Sequence, residues 1–127
     1  MNPRYKITLA VLAGAALGAA AIQGLHAQAK PPVYSITETE VTDPAVFKTF
    51  QERNAPILKS FGGRPLVRAD KSVALEGVPP KGRVAVTAWD SMEKLQAYRN
   101  SAEYKEIAPI RAKSTTFRSY VVEGLAN

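Results

Sequence analysis

From residue 33 onward, the hydrophobic and polar positions switch between a strand-like period and a helix-like period. Val33–Val41 is rich in Val, Ile, Thr and Tyr, which is typical of a strand, and neither of its two faces is purely apolar. Such a strand suits a sheet with one wet or pocket-lining side. Apolar residues then recur at helical spacing over residues 46–61. Asp43 can cap this helix and Pro44 fits its first position, so the helix is predicted to begin there.

Two adjacent glycines, Gly62 and Gly63, follow the helical pattern and predict its end. A glycine just past a helix adopts the left-handed conformation that caps it, and a second one lets the chain turn sharply. We predict a strand over residues 66–69 and a short return strand over residues 72–75. A loop rich in Pro and Gly follows, and the third predicted strand is Arg83–Trp89.

The second helical region is predicted in two pieces, because Ser91 and Ser101 can each cap a helix start. Pro109 is predicted to break the second piece. The last strand is predicted over residues 116–123. The element order is therefore β-α-β-β-α-β, which is the ferredoxin-like split arrangement of an α+β domain. We expect a four-stranded antiparallel sheet backed by two interrupted helices.

The first 29 residues have the order of a secretory signal peptide. Arg4 and Lys6 precede an uncharged run of 16 residues, and Ala27-Gln28-Ala29 fits a cleavage site of the A-x-A type. The sequence therefore predicts cleavage after Ala29, a mature domain of residues 30–127, and a periplasmic or secreted location. The alternative is a retained membrane anchor, although a spanning helix needs about 20 apolar residues.

Composition excludes several kinds of chemistry. The net charge is +6, but Lys and Arg are interleaved with Asp and Glu, so a solvated mixed surface is expected and no nucleic-acid partner. The chain has no Cys, and its one His, His26, lies in the predicted signal peptide. The mature domain therefore has no Ser-His or Cys-His nucleophile pair and no His- or Cys-ligated zinc or haem. We expect no metal and no cofactor.

Five short motifs recur in an order that resembles a known family. They are Val41-Thr42-Asp43-Pro44, Phe61-Gly62-Gly63-Arg64, Leu75-Glu76-Gly77, Ser101-Ala102-Glu103-Tyr104 and Val122-Glu123-Gly124. Together they resemble the domain of unknown function 1330 family, within the dimeric α/β-barrel superfamily. The resemblance implies a ferredoxin-like protomer whose sheet packs on that of a second copy, and hence a homodimer. Superfamily relatives include cofactor-free monooxygenases, small-molecule isomerases and haem enzymes, and the absence of His argues against the last.

The chain departs from the family pattern at three places. The family often has Arg-Gly-Gly at residues 68–70, a Glu followed by Phe at residues 88–89, and two aromatic residues at 98–99. This chain has Arg-Ala-Asp, Ala-Trp and Tyr-Arg at these places. The second departure removes a carboxylate, which weighs against a shared acid–base role there.

Two arginines are the first candidates for a binding site. Arg64 and Arg68 bracket the second strand, and alternate positions of a strand point the same way. They could face one pocket together with Glu38 or Glu40 and clamp an anion, since a guanidinium binds a carboxylate in a fork. The alternative is an ion pair that ties strands or subunits together.

Aromatic residues are the second group of candidates. They could line an aromatic ligand pocket, or they could belong to the core or a dimer interface; they are Tyr34, Trp89, Tyr98 and Tyr104. Arg111 could reach a pocket mouth or cap a helix C-terminus.

The sequence leaves two functions open. One is a small-molecule binding protein or interaction module without catalysis. The other is a cofactor-independent enzyme, monooxygenase- or isomerase-like, acting on a small aromatic or carboxylate compound. A closed pocket of about 300 Å³ or more would indicate a ligand site. An interior filled by Phe47, Phe50 and Trp89 would favour an interaction module.

Overall fold

The computed structural model describes residues 31–126, which form four strands and three helices. In chain order they are β1 (Val33–Val41), α1 (Pro44–Ser60), β2 (Arg64–Ala69), β3 (Arg83–Trp89), α2 (Met92–Asn100), α3 (Ala102–Ser114) and β4 (Thr115–Glu123). The predicted signal peptide and its cleavage site lie outside the described residues. Within residues 31–126, no helix is both long and apolar enough to cross a membrane.

The strands form a single sheet in the order β2-β3-β1-β4, and every neighbouring pair is antiparallel. β1 therefore lies next to β3 and β4, while α1 connects it to a strand two positions away. This is the ferredoxin-like arrangement that the element order predicted, and the α+β fold class is confirmed.

The helix ends follow from local side-chain and glycine chemistry. The Asp43 carboxylate accepts a hydrogen bond of 3.2 Å from the backbone N–H of Val46 and so begins α1. At the other end, Gly62 has a φ of 88°, and its N–H donates to the carbonyl of Lys59 at 3.0 Å. The Gly63 N–H donates to the carbonyl of Leu58 at 2.9 Å, which completes the paired capping pattern of a helix that ends in glycine.

The second helical region divides where the sequence predicted. Ser101 ends α2 and begins α3, and its hydroxyl accepts a 3.1 Å hydrogen bond from the N–H of Tyr104. The prediction that Pro109 breaks this helix is wrong, because α3 continues through it to Ser114. Pro109 removes the bond to the carbonyl of Lys105, and both residues are exposed. Water can therefore hydrate the freed carbonyl, which keeps the cost low.

The predicted return strand over residues 72–75 is also wrong. Residues 70–82 contain no strand, and three apolar side chains of this loop, Val73, Leu75 and Val78, are 87–95% exposed. The alternation of small and apolar residues resembles a strand. β2 is an edge strand with one free side, yet residues 72–75 do not pair with it, and their exposed apolar side chains bury no surface that would favour a strand.

The core lies between one face of the sheet and the helices. It consists of Val33, Phe47, Phe50, Trp89, Leu95, Tyr98, Tyr104 and Ile107. Trp89 points to this helix-facing side of the sheet, and the residues next to it in each strand point to the opposite side. We call that other side the outer face; its middle row is Val86, Ile36 and Tyr120, which are registered with one another across β3, β1 and β4.

Candidate functional site

A cleft of about 150 Å³ lies between the helix-facing side of the sheet and the three helices. Alternate residues of β1 form its floor, since Ser35, Thr37 and Thr39 point to the same side of the strand. The hydroxyls of Thr37 and Ser119 are 2.8 Å apart and share a hydrogen bond. The floor is polar because hydroxyl residues occupy positions that in an ordinary sheet–helix interface would be apolar.

Trp89 closes one end of the cleft. Its side chain is completely buried, and its indole N–H donates to the hydroxyl of Ser35 at 3.1 Å. The ring of Tyr98 packs beside it, with the two ring centroids 5.1 Å apart. This end of the cleft combines an apolar wall with a fixed aromatic surface.

The hydroxyl of Tyr98 donates a hydrogen bond to the side-chain oxygen of Asn54 on α1. Burial raises the pKa of Tyr98 above the usual range of a tyrosine. The hydroxyl therefore stays protonated at neutral pH. It can act as a hydrogen-bond donor in the cleft, but it does not supply a base.

Four arginines, Arg68, Arg83, Arg99 and Arg111, also line the cleft. Arg111 donates to the Tyr104 hydroxyl at 3.2 Å. Its guanidinium lies 4.1 Å from the ring centre of Phe117 in β4. Such stacking fixes the direction of the guanidinium and leaves its charge in place.

The prediction that Arg64 and Arg68 face one pocket is wrong. Arg64 is registered with Ala88 and Arg68 with Ala85, which lie three positions apart on β3 and so on opposite faces. The register shifts between Pro65 and Val67. One extra residue in β2 reverses the alternation, as a bulge does.

Arg64 forms an ion pair, which was the alternative role predicted for the two arginines. Its guanidinium lies 2.8 Å from the carboxylate of Asp90, which also accepts a hydrogen bond from Lys94 at 3.3 Å. The hydrogen bond from Arg64 holds the pKa of the Asp90 carboxyl below its usual value, and Lys94 adds to the effect. All three groups are exposed, so this cluster adds little to stability.

The other predicted residues separate into three groups. Trp89, Tyr98, Arg68 and Arg111 come together in the cleft. Glu38 and Tyr34 lie on the outer face with Arg64, and Glu38 pairs with Arg118. Tyr104 packs behind Tyr98, with ring centroids 4.8 Å apart, and holds Arg111.

Sequence reasoning missed Arg83, Arg99, Asn54 and the hydroxyl floor as parts of the site. One signal was present, since the mixed character of β1 indicated a pocket-lining face. Asn54 stands on the apolar stripe of α1, where a polar residue is unusual. Nothing in the sequence distinguishes Arg83 from an ordinary charged residue at the start of a strand.

The cleft is small. Its volume of about 150 Å³ is below the range of about 300 Å³ and upward that is usual for a ligand site. Phe47, Phe50 and Trp89 occupy much of the interior, as they do in a packed core. By the criteria drawn from the sequence, the small volume and the filled interior favour an interaction module, and a small molecule bound here must be compact. Among residues 31–126, no group of three or more His, Cys, Asp or Glu could hold a metal ion.

A larger groove of about 480 Å³ lies where residues 78–81 of the long loop approach β1 and β4. Its charged residues are of both signs, two glutamates against Lys81 and Arg118. The groove therefore has no single electrostatic preference, in contrast to the cleft.

The family model described as Domain of unknown function (DUF1330) matches residues 32–125 of the chain. The chain belongs to the DUF1330 family. The resemblance carried by the five sequence motifs is thereby confirmed. No functionally curated protein matches this DUF1330 chain.

Solved structures share the fold of this DUF1330 domain at low sequence identity. A Rhodopseudomonas palustris protein of unknown function is 13% identical with a TM-score of 0.64, over 76% of this chain and 84% of that one. SnoaB, a cofactor-independent oxygenase from Streptomyces nogalater, is 13% identical with a TM-score of 0.56, over 76% and 96%. A dimeric Bacteroides fragilis protein of unknown function and ferredoxin-like fold is 16% identical with a TM-score of 0.53, over 73% and 96%. These likenesses establish the fold.

The buried hydroxyl of Tyr98 leads to a prediction about alkaline stability. Unfolded tyrosine ionises near pH 10, whereas Tyr98 stays protonated in the folded chain, so the free energy of unfolding falls as pH rises above about 10. Tyr98→Phe removes this contribution. Urea unfolding at a series of alkaline pH values should therefore show a shallower decline for Tyr98→Phe than for the parent. Tyr120→Phe, which removes a half-exposed phenol, is the control, and equal slopes for Tyr98→Phe and parent would contradict the prediction.

Proposed function

We propose that this chain is an exported, homodimeric domain that binds a small molecule in the cleft between its sheet and helices. The observation that carries the proposal is a set of polar side chains lining the cleft without partners. Arg68, Gln51 and Thr87 make no side-chain hydrogen bond or ion pair within residues 31–126. Gln51 and Thr87 are half-buried and Arg68 is exposed, so each can exchange water for a ligand group in the cleft. A pocket built of such groups next to an aromatic wall is suited to binding.

The alternative is a cofactor-independent oxygenase, and the observation that favours it is the fold shared with SnoaB. The cleft residues favour binding without catalysis. Among the described residues, those that line the cleft include no His, Asp or Glu, and the Tyr98 hydroxyl stays protonated. Proton abstraction from a substrate therefore has no evident base. Oxygen uptake in the presence of hydroxylated naphthalenes or anthracenes would support the oxygenase instead.

Ligand binding is tested by filling the cleft. Ala85 lies on its floor in the middle of β3, and Ala85→Leu adds bulk where a ligand would sit. We expect the parent to enrich one or more small molecules from a metabolite extract, measured by mass spectrometry after gel filtration, and Ala85→Leu to lose them. Ala97→Leu makes the same change at an exposed position of α2 and should retain them. Equal enrichment by both variants would contradict binding in the cleft.

The dimer is proposed to form through the outer face of the sheet. Ile36, Val86 and Tyr120 form an apolar row there that no helix of the described chain covers, and an uncovered apolar face favours association. The Bacteroides fragilis protein that shares the fold is dimeric, which supports a dimer for this chain.

The dimer is tested by placing a charge on this row. Tyr120 is 44% exposed, so Tyr120→Asp should leave the protomer folded while placing an unpaired carboxylate in the interface. Light scattering should then report the mass of two protomers for the parent and of one for the variant, with unchanged circular dichroism. Gln96→Asp on the exposed side of α2 is the control and should remain dimeric. A dimeric Tyr120→Asp would place the interface elsewhere.

Export is tested by the mass of the protein made in a bacterial host. The proposal expects a chain that begins at Lys30, found in the periplasmic or secreted fraction, because Ala27-Gln28-Ala29 fits a signal peptidase site. Ala29→Leu places a large residue at the cleavage position and should leave the precursor uncut. A full-length parent chain in the membrane fraction would instead indicate a retained anchor.

A further inference from the structure

The cleft is strongly biased toward positive charge. Four guanidinium groups line it, and none of the lining residues is Asp or Glu. Each guanidinium is charged at every physiological pH. Four like charges around one small volume repel one another, so the cleft attracts an anion from solution.

The four arginines find little compensation within the described part of the chain. Arg68 has no ion-pair partner there. The Nε of Arg83 is buried without a hydrogen bond, and the nearest carboxylate oxygen, from Asp70, is 3.7 Å away on a side chain that is 88% exposed. Arg99 and Arg111 lie over aromatic rings, at 5.6 and 4.1 Å from the ring centres, and neither contact neutralises a charge.

The sheet register brings Arg68 and Arg83 together. Arg68 is registered with Ala85, and Arg83 lies two positions before Ala85 on the same face of β3. The two are diagonal neighbours on antiparallel strands, about 7–8 Å apart at the backbone. Side chains as long as arginine can converge from this distance on a single anionic group, and a guanidinium fork matches the two oxygens of a carboxylate.

The part of the cleft beyond the arginines limits the size and polarity of the rest of the ligand. Going from Arg68 toward Trp89, the lining changes from charged to apolar, with Leu58, Leu95 and the indole itself. The volume of about 150 Å³ admits a compact body and no long chain. The bound molecule therefore has a charged end and a short apolar or aromatic end.

We propose that the ligand of the cleft is a small carboxylic acid, with its carboxylate between Arg68 and Arg83 and its apolar body directed toward Trp89. This inference rests on the proposed function and specifies its ligand class. It also assigns the bulge in β2 a consequence for binding, because without that bulge Arg68 would point to the outer face.

The experiment compares charged and neutral probes on matched variants of the full chain. Benzoate and pyruvate are titrated by calorimetry, with benzamide as the neutral counterpart of benzoate and inorganic phosphate as the other anion. Benzoate or pyruvate should bind the parent, and benzamide and phosphate should bind at least about tenfold more weakly. Arg68→Gln should weaken carboxylate binding about tenfold to a hundredfold, the effect of losing one charge-assisted hydrogen bond. Arg68→Lys keeps the charge without the fork and should lie between parent and Arg68→Gln.

Arg64→Gln is the matched control, because it makes the same change on the same strand but on the outer face. It should keep the affinity of the parent within about twofold, since it removes only an exposed ion pair. Equal loss in Arg64→Gln and Arg68→Gln would overturn the assignment to the cleft, and preference for phosphate would overturn the ligand class. If neither carboxylate binds, the inference fails. A neutral compound that the parent captures and Ala85→Leu loses would then still support small-molecule binding in the cleft. If no such compound is captured, both the proposed function and the carboxylate assignment are wrong.

Discussion

The packing of Trp89 is the contact on which the rest of the domain depends. Its side chain is completely buried, and the glycine at position 63 lies so close that an added Cβ would meet both Trp89 and Leu58 at 2.9 Å or less. The end of α1, the start of β2 and the end of β3 therefore meet around one indole. The indole N–H is satisfied by Ser35 of β1, which ties the central strand to the same point. A large aromatic residue can serve in this way because one polar atom is paired and the remaining surface is apolar.

The bulge in β2 controls which charges the cleft contains. Without it, Arg64 and Arg68 would share the outer face, and neither would reach the cleft. With it, Arg64 is neutralised on the outer face and Arg68 enters the cleft unpaired. A single inserted residue thus separates a structural ion pair from a binding group, and the separation costs only a local break in the hydrogen-bond ladder.

The fold was largely predictable because its signals are local. The bounds of β1 and β3 follow from composition and alternation, and the helix starts follow from Asp43, Ser91 and Ser101. The content of the cleft was not predictable, because it depends on the pairing register. Pro65 is compatible with either an edge strand or a bulge and does not distinguish them, yet the face of every later residue in β2 depends on the bulge. The failure over residues 72–75 also concerns pairing, since their alternation does not show whether they pair with the free edge of β2.

The two faces of the sheet are chemically independent, and this has a consequence for function. Alternate residues of one strand serve the cleft and the outer face separately, so Thr37 can change without altering its neighbour Ile36. A family built on this sheet can therefore vary its ligand while keeping one mode of association. In this chain the cleft has four arginines and no acid, whereas on the outer face Glu38 is paired with Arg118. An anion entering the cleft thus meets four arginines and no lining acid, and association through the other face would cover none of these arginines.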